Sequence, residues 1–276
     1  MITEFVKHEQ HIRGYSDCTA KAYEKDLRKF VAFVKRNLEH KRWSEINQKD
    51  VETFIAWEVE EGLKPTTTNR HISAIASYYN WMKSKGYQVE NPCRYMSRRK
   101  IGDRIPRTAP KELIKAVMEN STGTVHLIFE VLVYTGCRIQ ECLDIRRCDL
   151  DIMNNIIKIQ GKGAKERNVY VPAETMKSLN AFSTHLRYDE KVFQTWTQRE
   201  VRSAIANILR PVGTAAYMSP HDVRHAFALE LAKEGYNASV IQKALGHNSI
   251  KTTQKYIDLA QLEVKNAFES LHKGVS

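Results

Sequence analysis

The sequence predicts a mainly α-helical fold with a small β-sheet, organised as two domains. Three observations predict it. Apolar residues recur at helical spacing along most of the chain, while strict alternation is confined to one stretch, NIIKIQGKGAKERNVYVP. The third is a proline- and arginine-rich segment, NPCRYMSRRKIGDRIPRTAP, in which apolar periodicity disappears. A chain of 276 residues accommodates one large domain or two smaller ones. With 42% hydrophobic residues it can build a core, which excludes wholesale disorder.

The elements follow in chain order. In YSDCTAKAYEKDLRKFVAFVKRN the stripe Ala20, Tyr23, Leu27, Phe30, Val31 and Val34 predicts a helix, with Ser16 and Thr19 as candidate caps. DVETFIAWEVEEG predicts a second helix ending near Gly62. A third starts after Pro65, with Ile72, Ile75, Tyr78, Tyr79 and Met82 inward and Gly86 as its stop. Lys21, Lys25, Arg28, Arg70 and Lys83 lie on the polar faces. These helices make a first domain over 1–95. A basic linker follows over 96–109, containing Arg98, Arg99 and Lys100. The second domain, 110–276, opens with two helices, KELIKAVMEN and VHLIFEVLVYTG. Ile157, Ile159, Val169 and Val171 then alternate with polar residues around GKGAK, which predicts a β-hairpin. Further helices run to the terminus, and the last carries Leu259, Leu262, Ala267, Phe268 and Leu271 on one side.

Charge narrows the partner. There are 43 Lys plus Arg against 32 Asp plus Glu, a formal net charge of +11. That excess favours a polyanion, nucleic acid first and an acidic membrane second. The start, MITEFVKHEQ, has no apolar core of a signal peptide, and no apolar run approaches the length of a membrane span. Cys18, Cys93, Cys137, Cys142 and Cys148 form no paired metal-ligand spacing and read as reduced, mostly buried thiols of a cytoplasmic protein.

Several short stretches carry chemistry. GKGAKER lies between two strands, so it is no Walker loop, which needs a strand and a helix on either side. Lys162 and Lys165 are lysines near a hairpin tip, able to reach a phosphate. TGCRIQE sets Arg138 after a Thr-Gly break, with Glu141 three residues on, where a carboxylate can hold the guanidinium. HDVRH puts His221, Arg224 and His225 on one helical face after Pro220; His225 reads as a core residue. LGHNS places His247 between two helices, and TTQKY places Tyr256 on the next.

Taken together and in this order, these residues resemble the tyrosine recombinase (phage integrase) family. Its signature is an arginine, a lysine, a His-x-x-Arg, a His or Trp, and a tyrosine. They map here onto Arg138, Lys162, His221, Arg224, His247 and Tyr256, with Glu141 as the acidic residue often kept after the first arginine. GYSDCTAKAYEKDLRKFVAF and NRHISAIASYYNWMKSKGYQVENP resemble the family's SAM-like core-binding domain, so the likeness covers nearly the whole chain. Its size is similar to that of Xer-like enzymes and small mobile-element integrases.

The resemblance implies a two-domain clamp on double-stranded DNA, a helical core-binding domain joined to a mixed α/β catalytic domain. It implies a 3′-phosphotyrosyl intermediate formed by Tyr256. Arg138, Arg224 and His247 would bond the phosphoryl oxygens, His221 would accept or orient the phenolic proton, and Lys162 would protonate the leaving 5′-oxygen. Lys21, Lys25, Arg28, Arg70, Arg98, Arg99, Lys100 and Lys165 are the candidate backbone contacts. No metal and no other cofactor is expected. A homotetramer passing through a Holliday junction is implied, with the last helix docking on a neighbouring protomer and accessory proteins as further partners. A type IB topoisomerase-like activity and a non-catalytic DNA-binding role are the alternatives. A metal-dependent nuclease lacks the acidic cluster it would need.

Overall fold

The computed structural model of the chain describes every residue except 40, 103–105, 162–165, 214–216, 247–248 and 274–276; for 251 and 266–273 it describes the backbone alone. The chain divides into two compact units, Met1–Asp103 and Arg104–Ser276.

The first unit is built from helices α1 (Ile2–His11), α2 (Asp17–Asn37), α3 (Gln48–Glu60) and α4 (Pro65–Ser84). α1 was not legible in the sequence. It buries only Phe5, Val6 and Glu9, too few positions to set a period. Ser16 caps α2 by accepting from the Thr19 amide at 3.3 Å. Of the expected α2 stripe, Ala20, Leu27, Phe30 and Val34 are buried, while Phe33 takes the core position that Val31 was expected to hold. An Asn47–Asp50 capping box starts α3, and Pro65 sits where the missing amide costs α4 nothing. Ile72, Ile75, Tyr78, Tyr79 and Met82 are all buried, as the α4 stripe required. The core is aromatic: Phe30 meets Phe54 edge to face at 5.1 Å, and Tyr79 donates to the Trp43 carbonyl at 2.9 Å.

The basic segment over 96–109 is hydrogen-bonded at both ends, each to its own unit, while Arg98, Lys100 and Arg107 stay exposed. Arg98 donates to the Asn69 carbonyl and to Ser73 Oγ, and the Arg99 amide donates to Asn69 Oδ1 at 2.9 Å. At the other end Arg107 donates to the Tyr217 carbonyl at 2.7 Å, and the amide of buried Ala109 donates to the Asp222 carbonyl at 3.0 Å.

The second unit contains α5 (Lys111–Asn120), α6 (Gly123–Thr135), α7 (Ile139–Leu143), β1 (Leu150–Asp151), β2 (Ile156–Gln160), β3 (Glu166–Tyr170), α8 (Ala173–Ser183), α9 (Gln198–Leu209), α10 (Pro220–Lys233), α11 (Ala238–Leu245) and α12 (Ile250–Lys273). The sheet is antiparallel in the order β1-β2-β3. Its register pairs Ile157 with Val169 and Ile159 with Arg167. Ile157 and Ile159 are fully buried, each contributing about 1.5–3 kcal/mol relative to exposure. A second apolar cluster joins α10, α11 and α12 through Ala228, Leu229, Ala232, Ile241, Leu245, Tyr256 and Ala260. On α12, Leu259 packs against that cluster and Leu262 is exposed. The side chains of Ala267, Phe268 and Leu271 lie outside the described residues. All five cysteines are free; Cys93, Cys137 and Cys142 are buried, Cys18 is exposed and Cys148 lies between.

Candidate active site

The site begins where α6 stops. Gly136 ends that helix with φ 58°, in the left-handed region. A Cβ there would run into the Phe227 ring, so close packing as well as backbone angle calls for glycine. Two residues on, Arg138 is the first flanking residue of α7. Its amide donates to Glu141 Oε2 at 2.9 Å and its Nη1 to Oε1 at 2.6 Å. Glu141 is 8% exposed, whereas the Arg138 side chain is 38% exposed. The carboxylate is thus inside and the guanidinium reaches solvent. Burial pushes the Glu141 carboxyl up, but bonds from Arg167 and Arg138 outweigh it and hold it below the usual range.

Arg224 approaches the same carboxylate from α10. Pro220 and a Ser219–Asp222 capping box start this helix, and Arg224 follows in its second turn, 3% exposed. Its Nη1 donates to the Gly136 carbonyl and its Nη2 to the Leu245 carbonyl, both at 2.8 Å. Glu141 Oε2 lies 4.0 Å from Nη1. These carbonyls belong to the ends of α6 and α11, where helix dipoles favour a cation. Removal from water, then the neighbouring Arg138, pulls the Arg224 guanidinium down to about 10. A guanidinium has five N–H donors, and the two carbonyls occupy two of them.

The histidines and the tyrosine form a second group. The His221 ring is exposed and stacks on the His225 ring, with centroids 6.2 Å apart. Desolvation, followed by Arg224, Arg202 and Arg138, lowers the His221 pKa. Desolvation and His221 lower that of His225, so its neutral form is favoured. Tyr256 is 1% exposed, and its hydroxyl lies 2.5 Å from His225 Nδ1. Burial pushes the phenol up, partly offset by Arg224.

The structure therefore brings Arg138, Glu141 and Arg224 into one network and connects Tyr256 to the same helix as Arg224. Lys162, Lys165 and His247 lie outside the described residues. Two neighbours were missed by reasoning from sequence. His225, read as a core residue, contacts the tyrosine. Arg167 donates to Glu141 Oε2 at 2.7 Å and was not singled out at all. A signal for it existed: Arg167 and Val169 on β3 alternate in phase with Val171 just beyond it, so an arginine there continues a buried face and needs a carboxylate.

The candidate DNA contacts differ in how they are held. Lys21 and Lys25 are exposed along α2. Arg28 pairs with Glu24 at 2.6 Å, and Arg70 forks onto buried Asp26 at 2.7 and 2.8 Å. Arg98 and Arg99 are engaged with α4 as described, and Lys100 is exposed. Among the described residues, no group of three or more His, Cys, Asp or Glu side chains could hold a metal ion. Among them, no helix is long and apolar enough to cross a membrane.

Residues 104–263 match the phage integrase family, and residues 2–86 match the phage integrase N-terminal SAM-like domain. A tyrosine recombinase of Thermosipho africanus (strain TCF52B) is 29% identical over 98% of this chain and 99% of its own. The tyrosine recombinase XerC of Thermodesulfovibrio yellowstonii is 31% identical over 95% of this chain and 93% of its own. Among solved structures, XerH site-specific recombinase bound to a palindromic difH substrate in a post-cleavage complex has the same fold. It aligns at TM-score 0.75 and 20% identity, covering 97% of this chain and 84% of that one.

Proposed function

Since the chain belongs to the phage integrase family, we propose that it is a site-specific DNA recombinase that cuts and rejoins strands through a 3′-phosphotyrosyl intermediate. The observation that carries this reading is an imbalance of charge. Three guanidinium groups, Arg138, Arg167 and Arg224, surround the single carboxylate of Glu141. Positive charge is left over in a partly dry site, which suits a phosphodiester.

In the proposed reaction the Tyr256 hydroxyl oxygen forms a bond to phosphorus while the bond to the 5′-oxygen breaks. The phenolic proton passes to His225 Nδ1, with the His221 ring stacked on His225 to orient it, and the departing 5′-oxygen takes a proton from Lys162. Arg138 and Arg224, with His247, carry the charge on the non-bridging oxygens. The energy of the phosphodiester is kept in the tyrosyl ester, and a 5′-hydroxyl of a second strand reverses the step. The arginines supply the charge neutralisation that a metal supplies elsewhere, so the reaction is expected to run in EDTA. The finer reading is a homotetramer exchanging strands through a Holliday junction, with the end of α12 docking on a neighbouring copy. The two units are proposed to grip DNA together, with the exposed Lys21, Lys25 and Lys100, and Lys165, among the phosphate contacts.

The test is adduct formation. Wild type and Tyr256→Phe are incubated in EDTA with a pooled library of nicked duplexes and run on a denaturing gel. A covalent protein–DNA species in wild type alone is expected, and its DNA identifies the site. Salt-sensitive DNA binding without any adduct would favour the non-catalytic alternative. If about 8 phosphates are neutralised, log K is expected to fall with log salt at a slope of roughly −7.

A further inference from the structure

Arg167 closes the GKGAKER stretch, five residues after Lys162, and its side chain turns to the interior of the unit. It stands on β3 opposite fully buried Ile159, and its side chain is only 11% exposed. Nη2 donates to Glu141 Oε2 at 2.7 Å, and Nε donates to the Ala244 carbonyl at 3.0 Å. Nη1 packs beside Gly246, where an added Cβ would come within 2.9 Å of it. Arg167 therefore links three pieces of chain: its own strand, which follows Lys162, and, through the guanidinium, the carboxylate that holds Arg138 and the end of the helix that precedes His247. Arg224 grips that same helix end through the Leu245 carbonyl. The last carbonyls of α11 are thus shared between two arginines, one of them tied to the hairpin.

We propose that Arg167 is a positioning residue that locks the hairpin strand, the Arg138–Glu141 pair and the end of α11 into one rigid unit. The proposal rests on the recombinase reading given above. Its physical basis is that phosphoryl transfer depends on placement, and a shift of about 1 Å can cost 10²-fold in rate. A fork can satisfy Glu141 and Ala244 together because its donors are planar and fixed. A lysine ammonium is a point charge that can serve one of them well. With two of its donors directed at the Glu141 carboxylate and the Ala244 carbonyl, Arg167 supports the groups that would meet the phosphate without meeting it itself.

The test compares Arg167→Gln and Arg167→Lys with wild type on the nicked duplex selected by the adduct experiment. Three quantities are read: the single-turnover rate of adduct formation at saturating protein, the Kd for the duplex by fluorescence anisotropy, and the Tm. For Arg167→Gln the saturated rate is expected to fall about 10²-fold, with Kd within about threefold of wild type, a bound set by leaving the phosphate contacts untouched. Arg167→Lys is expected to fall between the two. A wild-type saturated rate in Arg167→Gln overturns the proposal, as does a rate loss matched by equal losses of binding and Tm. If Arg167→Gln does not fold, Arg167→Lys decides: a slowed rate at unchanged Kd upholds the proposal, and a wild-type rate overturns it. If wild type gives no adduct, the recombinase reading fails first, and hydrogen exchange on the free protein still reads the inference. Faster exchange in Arg167→Lys over 156–170 and 244–250, with the first unit unchanged, upholds it. Unchanged exchange overturns it.

Discussion

The two units bury carboxylates under basic side chains, yet they balance the charge in opposite ways. In the first unit, Asp26 and Glu58 are 3% and 0% exposed. His71 bridges them, with Nδ1 2.7 Å from Glu58 and Nε2 3.1 Å from Asp26. Arg70 forks onto Asp26, and Lys29 reaches Glu58 at 2.7 Å. Carboxylates are numerous enough there that burial, which disfavours charge on His71, is outweighed by its two partners, and its pKa rises. In the second unit Glu141 faces three guanidinium groups alone. There removal from water, and after it the neighbouring cations, act against charge: Arg224 drops to about 10 and His221 falls below the usual histidine value. A network closed on itself ties helices α2, α3 and α4 together. The surplus charge of the second network is what the proposed reading assigns to a phosphodiester.

The sharpest way to break that contrast is to remove Arg224. Arg224→Gln is expected to slow adduct formation by roughly 10²–10³-fold, the usual effect of losing one preorganised donor. The measurement is single-turnover cleavage at saturating protein. If cleavage persisted while Tm collapsed, the second network would be a structural brace like the first.

Removing a carboxylate from the first network tests the other side. Glu58→Gln removes the charged partner of Lys29 and one of the two partners of His71 at a fully buried position, which is expected to cost about 1–3 kcal/mol. Urea unfolding of the full chain reads this as a lower midpoint. A loss below about 1 kcal/mol, the range of exposed pairs, would mean the network contributes little.

The response to pH sharpens the comparison, because the signs differ. A raised His71 pKa contributes stability that is present in full below the unfolded value of about 6.5 and is lost as pH rises through the folded value. The lowered pKa values of His221 and His225 act the other way: the folded state resists protonation, so stability falls as pH drops below about 6.5 toward their folded values. Tm measured from pH 5 to pH 9 is expected to lose less on the alkaline side in His71→Gln than in wild type, and less on the acid side in His225→Gln. The same slope for both variants would defeat the assignment.

The smallest effects separate exposed from engaged basic residues. Lys25→Ala is expected to reduce the magnitude of the salt slope for DNA binding by about 1 with little change in stability. Arg70→Ala instead leaves buried Asp26 without its fork, so its larger effect is expected on the urea midpoint. Equal salt-slope changes for both would place Arg70 on the DNA despite its internal partner.

Much of this was open to reading in the chain itself. The α4 stripe, the Ser16 cap and the inward phase of β2 and β3 depend on neighbours a few residues apart, and period alone fixes them. Motif order likewise drew Arg138, Glu141 and Arg224 into one candidate site. Helix α1 escaped because its buried face is too short to show a period. What only the tertiary structure decided is who partners whom. Arg167 meets a carboxylate 26 positions away, Arg224 a carbonyl 88 away, and the Tyr256 hydroxyl a histidine 31 away. Those contacts arise when the hairpin and helices α6, α7, α10, α11 and α12 pack together. Sequence periodicity assigns each residue a face but says nothing of which face it meets. The packed core makes that choice, and with it sets which buried charges are neutralised and which remain in surplus.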